Sequence, residues 1–184
     1  MTSRWDRIAV VGSTGAGKST LARELSERLG SRHTELDSLF FAPGWEPRPK
    51  EAFRRDVAAV AAGDRWVIDG NYRPVRDLVW RRATAVVWLD YSLARCFWQA
   101  LKRTTHRCFT GETICGENQE TFRQSFLSSD SVLLWVLRTH AGRRKETKAD
   151  LALPHYAHLH SEHLLNPKPT EKLLTDLNLT SKEA

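Results

Sequence analysis

The chain has 184 residues, 41% of them hydrophobic, with 28 Lys and Arg against 22 Asp and Glu for a net charge of +6. That length suits one α/β domain over residues 1–184 with its own core, and no apolar run reaches the ~18 residues of a membrane span. Three cysteines, Cys96, Cys108 and Cys115, are too few and odd in number for a disulfide framework, and the N-terminus lacks a signal peptide's hydrophobic stretch, so a cytoplasmic chain with free thiols is expected.

Ile8-Ala9-Val10-Val11 is a β-branched run of the kind that forms a central strand covered on both faces. Directly after it, Gly12, Ser13, Thr14, Gly15, Ala16, Gly17, Lys18 and Ser19 spell a complete G-x-x-x-x-G-K-[ST] phosphate loop, followed by Thr20. A triphosphate is a dense anion, held best by backbone N–H groups at the positive end of a helix. The glycines let the backbone approach the phosphates, Lys18 reaches the β- and γ-phosphates, and the Ser19 hydroxyl ligates Mg²⁺. From Ser19 to Leu29 the pattern is helical, with Leu21, Leu25 and Leu29 four apart and Gly30 as the stop. The motif in this context predicts that the chain binds a nucleoside triphosphate, ATP being the expected phosphoryl donor.

Next, His33 to Leu36 predicts a second strand ending at Asp37. The stretch from Phe40 to Pro49, with three prolines, a glycine and three aromatics, predicts a loop without regular structure. Lys50 to Ala62 reads as a helix closed by Gly63, with Phe53 and Val57 on its inner face. Trp66-Val67-Ile68 is a third strand ending at Asp69-Gly70, a short helix is expected near Val75 to Arg82, and Ala85 to Leu89 is a fourth, fully buried strand. Asp90 or Ser92 caps the following helix. From Thr104 to Gln119 the polar, Gly-containing pattern predicts a mobile loop bearing Arg107. A helix then carries Phe122, Phe126, Leu133 and Leu137 and stops at Gly142. A last strand lies within Ala157 to Leu165, and Asn166-Pro167 opens a final helix.

Strands alternating with helices imply a parallel sheet whose ligands sit beyond the carboxyl ends of the strands. That places the phosphate loop, Asp37, Asp69 and Asp90 on one rim. Phosphoryl transfer usually needs a carboxylate near Mg²⁺. A cap role accounts for Asp90, which leaves Asp69, with Ser19, as the expected metal-linked group. Asp37 either accepts the proton of an attacking hydroxyl or caps the Ser38-Leu39 turn; the former is expected. His106, Cys108 and Cys115 lack a C-x-x-C pair, so no zinc is expected in the lid, and the histidines at 155, 158, 160 and 163 are expected to face solvent.

Gly12 to Thr20, Asp37, Trp45 and the segment from Trp66 to Arg73, W-V-I-D-G-N-Y-R, together resemble the adenylate-kinase-like P-loop proteins and, within them, the topology-modulation-protein (FlaR-related) group. The resemblance implies a three-layer P-loop NTPase fold: a five-stranded parallel sheet of order 2-3-1-4-5 flanked by helices, a substrate-binding arm over residues 38–63 and a helical lid insertion over 104–119. Gly116 to Glu120 resembles a polar motif of some members. By the same resemblance Asp69 is the Mg²⁺-associated aspartate, Arg73 meets a phosphate on the acceptor, Arg103 is the lid-base arginine on the donor phosphates, and Arg143 and Arg144 neutralise the transferring group. The chain departs from nucleoside monophosphate kinases at Asn71-Tyr72, where they carry proline, and at Gln99, where an arginine would stack on adenine.

The expected activity is transfer of the γ-phosphoryl group of ATP·Mg to a small acceptor, with slow ATP hydrolysis alongside. Arg73 favours a nucleoside monophosphate and Asp37 a hydroxyl compound. The alternative is a nucleotide-dependent regulator or nucleic-acid-associated ATPase, to which the basic knot Arg143-Arg144-Lys145 would lend itself. Nucleic acid is not the favoured partner, no membrane is expected, and the chain is expected to be a monomer or weak homodimer.

Overall fold

The computed structural model describes residues 3–114, 118, 119, 122, 125, 128 and 131–180, with side chains through 174 except at 119. Cys115, Gly116, Glu117, Glu120 and Phe126, named above, lie outside the described residues. Five strands, β1 (Arg7–Gly12), β2 (Arg32–Glu35), β3 (Trp66–Asp69), β4 (Ala85–Leu89) and β5 (His160–Leu164), form one parallel sheet in the order β2-β3-β1-β4-β5. Each pairing is parallel, so the expected 2-3-1-4-5 order holds.

Alternation along the strands divides the core in two. Ile8, Val10, Val67, Ala85, Val87 and Leu89 face α1 (Lys18–Leu29), which turns Leu21 and Leu25 inward. Ala9, Val11, Trp66, Ile68, Val86 and Trp88 face Phe53 and Val57, on a later helix (Lys50–Ala61). Trp66 is fully buried and its indole N–H donates to the Ala61 carbonyl at 3.2 Å, so its truncation would cost ~3–5 kcal/mol. No helix among the described residues is long and apolar enough to cross a membrane.

Several local expectations are corrected. Asp37 lies not at a strand end but in the first turn of α2 (Leu36–Phe40). The segment Lys50–Ala61 is therefore α3, and the proline-rich stretch before it is partly regular: Phe41–Ala42 pairs antiparallel with Glu46–Pro47 around Gly44, whose φ of 81° lets the chain reverse. Ser92, not Asp90, caps the long helix: after α4 (Arg76–Trp80), α5 runs from Leu93 to Thr110, and the Ser92 side chain accepts from the Arg95 N–H. The first half of the expected lid, 104–110, is thus helical. Cys96, Ala100 and Thr104 recur every four residues on its buried face, and the helix ends where Gly111 turns left-handed.

Likewise α6 (Val132–Leu151) passes straight through Gly142. Its buried face is Val136, His140 and Thr147; of the expected inward residues that are described, Leu133 packs on the core while Phe122 and Leu137 are exposed. The apolar spacing misplaces Phe122 and Leu137. Of the tail histidines, His160 and His163 belong to β5 and lie on opposite faces, whereas His158 precedes the strand. Asn166 accepts from the Lys168 N–H at the start of α7 (Pro167–Thr180).

Candidate functional site

The phosphate loop joins β1 to α1 at the carboxyl rim. Its geometry is set locally: Ala16 N–H donates to Ser13 O at 3.1 Å, and Gly17, at φ 88°, stands at the N-terminus of α1. Gly17 faces open space, whereas a Cβ on Gly15 would fall 2.2 Å from the Cys96 carbonyl. Gly15 therefore serves close packing of the loop against α5, and Gly17 the open, ligand side. Ser13 and Ala16 are buried, Thr14 and Ser19 half-buried, and Thr20 exposed.

Lys18 Nζ donates to the Ser13 carbonyl at 3.1 Å. Burial pushes the Lys18 ammonium below its ordinary value, while Asp37 and Asp69 pull it back and Arg143 and Arg103 push it further down. Lys18 is thus surrounded by four charges from four different elements. Desolvation lowers Arg143 as well, and Tyr72 and Asp37 are the largest influences opposing it.

Asp37 is held in that ring by its neighbours. The Tyr72 hydroxyl donates to Asp37 Oδ1 at 2.7 Å. Gly70, at φ 133°, would place a Cβ 2.7 Å from Leu36 Cβ, so only glycine lets the end of β3 lie against the start of α2. Asp69 is 3% exposed, and its Oδ2 has no hydrogen-bond partner among the described residues. A buried carboxylate at the strand end beside the phosphate loop would balance the charge of a cation held by the Ser19 hydroxyl, while its orphaned Oδ2 lies 3.6 Å from His33 Nε2.

Two further expected arginines have surroundings of their own. Arg144 pairs with Asp90 at 2.9 Å, and His163, stacked on Trp88, holds the same buried carboxylate at 2.8 Å. Arg73 is exposed in a turn, and its charge acts on Arg76. Arg76 itself escaped the sequence reading. It is buried, pairs with Asp150, donates to Asn71 Oδ1 at 2.7 Å and lies over the Trp80 ring. The available signal was Asn71-Tyr72, the departure from the kinase pattern: one residue anchors Arg76 and the other Asp37. Across the site, Asn118 accepts from Trp45 N–H at 2.9 Å and donates to the Ala42 carbonyl at 3.1 Å, joining the 41–47 hairpin to the 118–119 strand.

No family model matches the chain. A shikimate kinase from Symbiobacterium thermophilum is 32% identical over 115 residues, a match covering 54% of this chain and 66% of that relative. Among solved structures, shikimate kinase from Acinetobacter baumannii in complex with shikimate is 16% identical at a TM-score of 0.51, covering 97% of this chain and 94% of that one. A gluconokinase from Sinorhizobium meliloti 1021 is 18% identical at a TM-score of 0.53, covering 98% and 97%. With the parallel sheet and the phosphate loop, these likenesses show that the chain has the adenylate-kinase-like P-loop NTPase fold.

Proposed function

We propose that the chain is an ATP-dependent kinase that transfers the γ-phosphoryl group to a hydroxyl of a small acceptor. The observation carrying this reading is Asp37: a carboxylate held by the Tyr72 hydroxyl inside the charge field of Lys18 and Arg143. The loop N–H groups and Lys18 cradle the triphosphate. Ser19 and Asp69 would hold Mg²⁺, which would neutralise phosphate charge. The acceptor oxygen attacks the γ-phosphorus as its proton passes to Asp37, ADP leaves, and Arg103 and Arg143 offset the charge of the transferring group. The hairpin arm within 38–63 and the lid within 104–119 close over the acceptor, and water exclusion limits hydrolysis.

The relatives named for shikimate and gluconate favour a polyhydroxy acid, with Arg143 offering a cation to its carboxylate. A monophosphate acceptor would call on Arg73, which is exposed. The topology-modulation grouping belongs to this proposal through its W-V-I-D-G-N-Y-R segment. Its nucleic-acid version is weakened because the basic knot is divided, Arg143 lying at the site and Arg144 on Asp90.

The test is a panel of hydroxy acids, sugars and nucleoside monophosphates incubated with ATP and Mg²⁺, scored for acceptor phosphorylation above basal hydrolysis. A hydroxyl acceptor should raise ADP release stoichiometrically. If monophosphates alone respond, with a requirement for Arg73, the hydroxyl reading fails; if nothing responds, the regulator reading replaces it.

A further inference from the structure

His33 and Glu35 on β2 and Asp69 at the end of β3 form a cluster whose ligand atoms all lie within 4.8 Å of one another. Register explains it: Glu35 is paired with Asp69 and His33 with Val67, and Asp69 with Val10 across the other edge of β3. Alternation therefore turns all three side chains to the α1 face, and β2 is the outer strand of the sheet, leaving His33 and Glu35 only half-buried. An ion can reach them from the edge.

We propose that His33, Glu35 and Asp69 bind a divalent first-row transition ion, of the Zn²⁺, Co²⁺ or Mn²⁺ type, without any need for nucleotide. His33 Nε2 and Asp69 Oδ2 stand 3.6 Å apart, too far for a hydrogen bond, and both atoms are buried with no hydrogen-bond partner. Two carboxylates paired in register, Glu35 and Asp69, repel each other. Lys18 and Arg23 act on these carboxylates through space, but neither forms an ion pair with them among the described residues. A cation at the centre would satisfy the orphaned atoms and remove the repulsion.

The donor set decides the class of ion. One imidazole nitrogen and two carboxylates suit zinc, cobalt or manganese, whereas Mg²⁺ prefers oxygen alone and keeps its waters. Ligand atoms on a shared ion lie ~3–4 Å apart at metal–ligand distances of ~2.0–2.2 Å, so the side chains need close in only slightly. Because Asp69 has two oxygens, the site adjoins the proposed Mg²⁺ position without depending on the kinase reading.

Calorimetric titration of Zn²⁺ into the nucleotide-free full chain, in the presence of excess Mg²⁺, tests this. One equivalent should bind. His33→Gln and Glu35→Gln should each weaken it by at least ~10-fold, and His158→Gln, in the tail histidines, should leave it unchanged. The wild-type chain offers a readout that needs no variant: with ¹⁵N-labelled histidine, the His33 Nε2 resonance should shift on the first equivalent. A static His33 signal, or uptake lost in His158→Gln and kept in His33→Gln, would overturn the proposal, and so would displacement by Mg²⁺.

Discussion

The donor and acceptor sides of the site are built in opposite ways. The phosphate loop is one unbroken segment, Gly12 to Thr20, whose shape comes from its own backbone bonds and from Gly15 against α5. The proposed acceptor side is assembled from distant pieces: Asp37 on α2, Tyr72 after β3, and Arg143 on α6, with Arg76 and Asn71 fixing the turn between them. A contiguous motif tolerates change elsewhere in the chain, whereas an assembled pocket changes whenever one contributing segment is replaced. On the proposed function, acceptor choice is thus the adjustable half of the molecule, and the phosphate grip the fixed half.

Lys18→Ala should do the greatest damage on the donor side, lowering both transfer and hydrolysis by ~10³-fold or more in turnover assays. Its fold should not suffer. Lys18 titrates lower in the folded chain than its ordinary 10.5, so the native state binds fewer protons and the cost is fully present below the folded value. It fades as pH rises toward 10.5. Thermal unfolding at neutral pH should therefore show Lys18→Met at least as stable as wild type, with a flatter alkaline pH profile; a clear loss of stability would contradict the burial argument.

Gly15→Ala probes the seat of the loop on α5 and should cost ~2–4 kcal/mol in urea unfolding, whereas Gly17→Ala, facing open space, should spare stability more than nucleotide binding. On the acceptor side the adjacent arginines should separate cleanly. Arg143→Ala should reduce transfer by ~10²-fold. Arg144→Ala should leave turnover within ~10-fold and instead cost ~1 kcal/mol of stability, because Asp90 keeps only His163. Equal kinetic losses would mean that both reach the transferring group.

Tyr72→Phe is the mildest change. Loss of one hydrogen bond to Asp37 should alter acceptor KM or kcat by ~10-fold and leave the KM for ATP unmoved. A matching shift in ATP affinity would show that the two halves are not independent.

How much of this could be read in advance varied with the range of the interactions. The β-branched run of β1, the loop motif, Gly30 and Gly63 are local signals, and the strand order followed the family resemblance. The helical extension of α5 to Thr110 is hidden because Lys102, Arg103 and His106 make its exposed face look like a loop, while its buried face advances through Cys96, Ala100 and Thr104. On α6, the apolar residues Trp135 and Leu137 are exposed and the buried positions include His140 and Thr147. Hydrophobic periodicity points the wrong way there because the inner face carries polar groups: His140 lies 2.9 Å from the Tyr91 carbonyl.

By itself, then, the sequence determined what depends on neighbours in the chain: the phosphate loop, the helix that follows it and the carboxylates placed near strand ends. Only the tertiary structure decided that Arg143 acts on Lys18 through space while Arg144 turns to Asp90, that Tyr72 holds Asp37, and that His33 and Glu35 meet Asp69. One residue's step rotates a helical side chain by ~100°, and register alone sets which residues of neighbouring strands touch. Both are settled by packing between segments far apart in sequence.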